Sequence, residues 1–99
     1  MSASPQLIEN ALGIALQGEL TFESVPAIWM QIQKVFLSRN HVEIDFKGVS
    51  YSNSAGLALL TACIRDSQRL KVPVVFKNLP KQMNQIAKVT GINLILQSV

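Results

Sequence analysis

The chain has 99 residues, of which 48% are hydrophobic and only 15% charged, with a mean hydropathy of +0.28 and a formal net charge of +3. That length holds one domain, covering residues 1–99, with a single core and little margin. No apolar run approaches the ~20 residues that span a bilayer, and the mild, scattered basic charge lacks interleaved aromatics, so the surplus apolar surface points to a protein partner, not to membrane insertion or nucleic acid.

Residues 1–5 read as a loose tail with no charged segment leading into an apolar one, so no secretory signal is expected. Leu7-Ile8 and Ala11–Leu16 read as two short strands about a turn at Glu9-Asn10, with Gly18-Glu19 ending the second. Ser24–Ser38 is a helix: Ser24 is placed to cap it, and Pro26 falls in the first turn, where its missing N–H is harmless. Val25, Ile28, Ile32, Val35 and Phe36 recur at helical spacing as its core-facing stripe. Trp29 lies on the flank of that stripe, and Met30 and Leu37 lie two turns apart on the side away from it. A tryptophan so placed serves as core filler or as an interface anchor. Lys34 is the only charge between Glu23 and Arg39, so the outer side resembles a docking face more than a solvated one.

Arg39-Asn40-His41 turns the chain into a strand, Val42–Phe46. His41 has no cysteine, second histidine or paired carboxylate beside it and reads as a solvated loop residue. Ser50–Ser54 is a polar loop, and the helix after it begins almost wholly apolar, which predicts burial there, and ends charged. Leu57, Leu60, Cys63 or Ile64, and Ser67 share one face. Cys63 is the only cysteine; it excludes an internal disulfide, reads as a buried small hydrophobe, and fits a cytoplasmic setting. Ser54 stands at the positive end of this helix, either as its cap or as a group presented to a phosphate or a partner's acidic group. Lys71-Val72-Pro73 then bends the chain into a buried strand, Val74–Phe76. Leu79-Pro80 starts a third helix with Met83, Ile86, Ala87 and Thr90 inside, Gly91 ends it, and Ile92–Leu96 is a final short strand or extended tail.

The order strand, strand, helix, strand, helix, strand, helix, strand predicts an α/β fold: a small, mostly parallel sheet with helices packed on it and an N-terminal hairpin. No catalytic set accompanies it. There is no P-loop, no G-x-G-x-x-G and no metal-ligand spacing, so a non-enzymatic protein without cofactor or metal is expected. Glu43 and Asp45 alternate along one strand and share a face, which suits an acid–base pair or simply a half-exposed strand.

The strand end at Asp45, the turn Gly48-Val49 and the helix opening Asn53-Ser54-Ala55-Gly56-Leu57 together resemble the STAS family (sulfate transporter and anti-sigma-factor antagonist). Gly18-Glu19-Leu20 ahead of a helix carrying Ile28-Trp29, and the run Gly56-Leu57-Ala58-Leu59-Leu60, are similar to its MlaB-type branch. That resemblance implies a cytoplasmic accessory subunit, peripheral to the inner membrane, of an ABC transporter that moves phospholipids between the two membranes of Gram-negative bacteria and maintains lipid asymmetry. The direct partner is the ATPase subunit, and the membrane permease is met indirectly. The branch's ATPase-facing tryptophan and helix-start hydroxyl map onto Trp29, with Met30 and Gln33 beside it, and onto Ser54, with Ser52 and Asn53 beside it. A homodimer that hides Trp29 is the expectation where the partner is missing. The other branch, the anti-sigma-factor antagonists, implies phosphorylation of Ser54 by a partner kinase; those antagonists carry Asp where this chain has Asn53, which removes a carboxylate from the serine's setting.

Overall fold

The structure, a computed structural model, describes residues 6–81 and Met83. β1 (Gln6–Glu9) and β2 (Gly13–Leu20) form the expected hairpin. Its turn is built by Asn10, whose side-chain oxygen accepts from the N–H groups of Leu12 and Gly13, each at 2.9 Å. α1 (Val25–Ser38), β3 (Val42–Ser52), α2 (Ser54–Leu70) and β4 (Val74–Lys77) follow. The sheet order is β1-β2-β3-β4, with β1 antiparallel to β2 and the pairs β2–β3 and β3–β4 parallel. Two parallel neighbours in sequence each require a crossover, so α1 and α2 lie side by side on the sheet and pack against each other.

The register explains the core. Ile14 pairs with Ile44 and Ile44 with Phe76, which lays one row of buried apolar side chains across three strands under the helices. Ile28, Ile32, Val35 and Phe36 of α1 meet that row, as the spacing predicts, while Val25 is only half-buried at the helix start. One residue out of step, Ala15, Asp45 and Lys77 pair across the opposite face, where Glu43 forms a 3.2 Å ion pair with Lys77.

Several expected boundaries move. β2 does not end at Gly18-Glu19 but continues to Leu20, and β3 does not end at Phe46 but continues through the serine-rich stretch to Ser52. The two extensions are one event: Gly18 pairs with Val49, Glu19 with Tyr51 and Leu20 with Ser52, after register shifts that a positive φ of 93° at Gly18 accommodates. β4 stops opposite Asp45, so among the described residues β3 bonds beyond it to β2 alone, and its polar composition accords with that. Ser24 occupies the N-cap position of α1 without capping it. Its hydroxyl instead donates to the Glu19 carbonyl at 2.9 Å and accepts from the Thr21 N–H at 2.9 Å, which fixes the turn between β2 and α1. On α2 the buried face runs through Ala55, Gly56, Leu59, Leu60, Cys63 and Ile64; Leu57 and Ser67 are half-buried and Ala58 is exposed, so the helix is not enclosed all round at its start. Lys71 ends α2 in a left-handed conformation (φ 57°), with its N–H on the Ser67 carbonyl. Lys81 and Met83 are helical and Met83 is fully buried; the rest of the expected third helix and the final strand lie outside the described residues.

Candidate functional site

Because β2 and β3 are parallel, the helices that follow them both start at the same end of the sheet. There the Asn53 N–H donates to the Leu20 carbonyl at 3.2 Å, closing the ends of the two strands together. Asn53, not Ser54, caps α2: its side-chain oxygen accepts from the Ala55 N–H at 2.8 Å, and its carbonyl accepts from the Gly56 N–H at 3.0 Å. Ser54 is therefore the first helical residue. Its side chain is exposed, and its hydroxyl has no hydrogen bond among the described residues. A free hydroxyl at the positive end of a 17-residue helix is accessible to a modifying enzyme or a partner donor, and added negative charge there meets the favourable end of the dipole.

Ser52 does not share that surface. It is 7% exposed, its hydroxyl donates to the Asn53 carbonyl at 3.0 Å, and α2 rests directly on it. A Cβ on Gly56 would collide with the Ser52 hydroxyl and stand 3.2 Å from Ser52 Cβ. Ser52 thus supports the helix start from beneath. Phe22 and Tyr51, 66% and 47% exposed, are large apolar side chains at this same end, one in the turn after Leu20 and the other two residues before Asn53. Sequence reading passed over both because each is a lone aromatic in a polar stretch; only the pairing of Leu20 with Ser52 brings them to one end.

The α1 residues fall elsewhere. Trp29 is half-buried and packs on the core cluster, while Met30 is 63% exposed. Met30 and Gln33 line an open groove against the last turns of α2, with Arg69 and Leu70 on its far side. Asp66, the nearest α2 residue of that groove, is twelve residues from Ser54, about 18 Å along the helix axis. Of the six residues expected to form one patch, Asn53 and Ser54 lie at the helix start with Ser52 beneath them, Met30 and Gln33 line the α1–α2 groove, and Trp29 packs on the core.

Glu43 and Asp45 do share a face, and both are committed to structure. Glu43 is paired with Lys77. The Asn78 amide donates to Asp45 at 2.9 Å and the Lys47 N–H at 2.8 Å; the Asn78 bond above all, against a smaller opposing effect of burial, holds the Asp45 carboxyl below the ordinary carboxylate value. Among the described residues no group of three or more His, Cys, Asp or Glu side chains is placed to hold a metal ion, and no helix is long and apolar enough to cross a membrane.

A family model described as "Mlab, STAS domain" matches residues 4–97. The chain belongs to this STAS family. A search of curated proteins found no significant match. Among solved structures, this STAS domain is similar to an anti-sigma factor antagonist from Mycobacterium paratuberculosis, at 18% identity and a TM-score of 0.76, over 99% of this chain and 89% of that one. It is also similar to the anti-sigma factor antagonist SpoIIAA in its unphosphorylated form, at 16% identity and a TM-score of 0.74, over 96% and 87% of the two chains. The phosphorylated form of the same Bacillus cell fate determinant gives 17% identity and a TM-score of 0.71, over 96% and 90%. At these identities the likeness is one of fold.

Proposed function

We propose that this STAS domain is a non-enzymatic accessory subunit that binds the cytoplasmic ATPase of an ABC transporter moving phospholipids between inner and outer membranes, and that it supports the assembly and activity of that complex. The observation that carries this reading is the match to the Mlab-type family over residues 4–97. The exposed Ser54 at the start of α2 and the exposed Met30 on α1 support it, because both are presented to a partner without any change of fold. Trp29 contributes as a half-buried anchor whose inner part is already held by the core.

The test is co-purification of the tagged protein from gently solubilised membranes of its native host. The expected companions are an ABC ATPase and an integral permease. Ser54→Glu then places a charge in the contact and should weaken ATPase binding at least tenfold, about 1.4 kcal/mol. Trp29→Ala removes an anchor of a kind that contributes about 2 kcal/mol or more, roughly thirtyfold. Recovery of a soluble serine kinase with no membrane protein would overturn the proposal. It would favour the second reading, an anti-sigma-factor antagonist switched by phosphorylation of Ser54, which the fold likeness to SpoIIAA and the free Ser54 hydroxyl support.

A further inference from the structure

The groove between α1 and the last turns of α2 has a volume of 310 Å³ and lies away from the helix-start cluster. Met30 and Leu37, 63% and 73% exposed, stand along its α1 wall two turns apart, about 10 Å along the axis. Leu70 faces them from α2. Large apolar side chains this exposed and this aligned are unfavourable in water unless something covers them.

Basic side chains outnumber the one carboxylate of the groove, Asp66, which is buried and paired with Arg69. Lys34 and Arg69 stand on its rim, and Arg65 is exposed one turn earlier on α2. Neither α1 nor α2 carries an exposed carboxylate: Asp66 is the one acidic residue in both helices, it is 8% exposed, and its charge is turned to Arg69 at 3.3 Å. The carboxylates Glu43 and Asp45 lie on the opposite face of the sheet. Between α1 and α2 the groove is thus an apolar trough whose exposed charges are basic.

We infer that this groove docks an acidic, amphipathic protein segment, with apolar side chains against Met30, Leu37 and Leu70 and carboxylates reaching Lys34 and Arg69. A basic or neutral segment would leave the rim unpaired, and a concave trough between two helices suits a rod of protein better than a flat lipid surface. The inference rests on the reading that the helical layer meets a protein, but not on that protein being an ATPase.

The probe is a displayed library of peptides of about 16 residues, long enough for two apolar turns to follow Met30 and Leu37. Selection on the wild-type domain should enrich sequences with apolar residues at helical spacing and Asp or Glu between them. The best peptide, measured by fluorescence anisotropy, should lose about fivefold or more in affinity with Leu37→Ser and about threefold with Lys34→Glu, the second loss shrinking as salt rises to about 0.5 M. Both positions are exposed, so neither variant threatens the fold. No enrichment, or enrichment of basic or neutral sequences, overturns the inference. So does pelleting with phosphatidylglycerol vesicles that Lys34→Glu abolishes, which would assign the face to a membrane. So does occupancy by residues 84–99 of this chain, seen as new binding on their truncation. If the selected peptide binds Leu37→Ser and Lys34→Glu as tightly as the wild type, the groove inference falls whatever Ser54→Glu does to ATPase binding; if both variants lose the peptide while Ser54→Glu leaves ATPase binding intact, the groove stands and the helix-start contact falls.

Discussion

Gly56 offers a sharp test of how the helix start is held. Replacing it with alanine puts a methyl group where the Ser52 hydroxyl already sits, 3.2 Å from Ser52 Cβ and 3.4 Å from Met83 Cε. The hydroxyl has to rotate away and give up its 3.0 Å bond to the Asn53 carbonyl, a loss of about 1 kcal/mol. Crowding against the displaced oxygen adds to this, since overpacked sites typically lose about 1–3 kcal/mol. The helix preference of Ala over Gly returns at most about 1 kcal/mol. Gly56→Ala should therefore destabilise the domain by about 1–3 kcal/mol, and Ser52→Ala by about 1 kcal/mol through the same lost bond. Independent effects would sum to about 2–4 kcal/mol in the double variant. The structure instead predicts that the double variant loses little more than Ser52→Ala alone, because the obstructing oxygen is gone. Urea unfolding followed by the fluorescence of Trp29, the sole tryptophan, measures all four corners of the cycle. Strict additivity, or a Gly56→Ala variant as stable as the wild type, would refute the claim that α2 rests on Ser52.

Capping gives a second contrast: Asn53→Ala should lower stability by about 1 kcal/mol, a fall of about 4–8 °C in Tm, whereas Ser54→Ala should stay within about 0.5 kcal/mol. Equal effects in thermal melts would place the cap on Ser54 after all. Asp45 holds its proton more weakly in the folded than in the unfolded chain, so its ionised form favours folding. That contribution is present above its unfolded value, near 3.8, and is lost as the pH falls through the lower folded value. Asn78→Ala should accordingly destabilise the protein at pH 7 and much less in acid below the folded value; a penalty independent of pH in denaturant titrations would exclude this link. Burial, with the nearby Asp66 charge as the lesser cause, pushes the Cys63 thiol well above its ordinary range, so a thiol reagent at mildly alkaline pH should label the native protein negligibly and the unfolded protein fully. Rapid labelling of folded protein would show that α2 opens locally.

The sequence by itself determined the class of fold. The period of Ile28, Ile32, Val35 and Phe36, the Pro26 at a helix start and the apolar run at Val42, Ile44 and Phe46 are local signals, and the order of helices and strands leaves few ways to build a sheet. The motif around Asn53 to Leu57 likewise carried the family. What it could not carry was anything decided between chain segments distant from one another. The polar run Ser50–Ser52 looks like a loop until β2 pairs with it, because backbone hydrogen bonds, not side chains, make it a strand. Ser24 and Ser54 both look like caps, but one is drawn to the Glu19 carbonyl and the other is displaced by Asn53. Ser52 and Ser54 are two residues apart and chemically alike, yet one is buried and the other exposed, since only the seating of α2 on β3 separates them. The division of Met30 and Gln33 from Ser54 has the same cause: which part of α2 a residue of α1 meets depends on how the two helices lie on the sheet, and that geometry exists only once the core has formed.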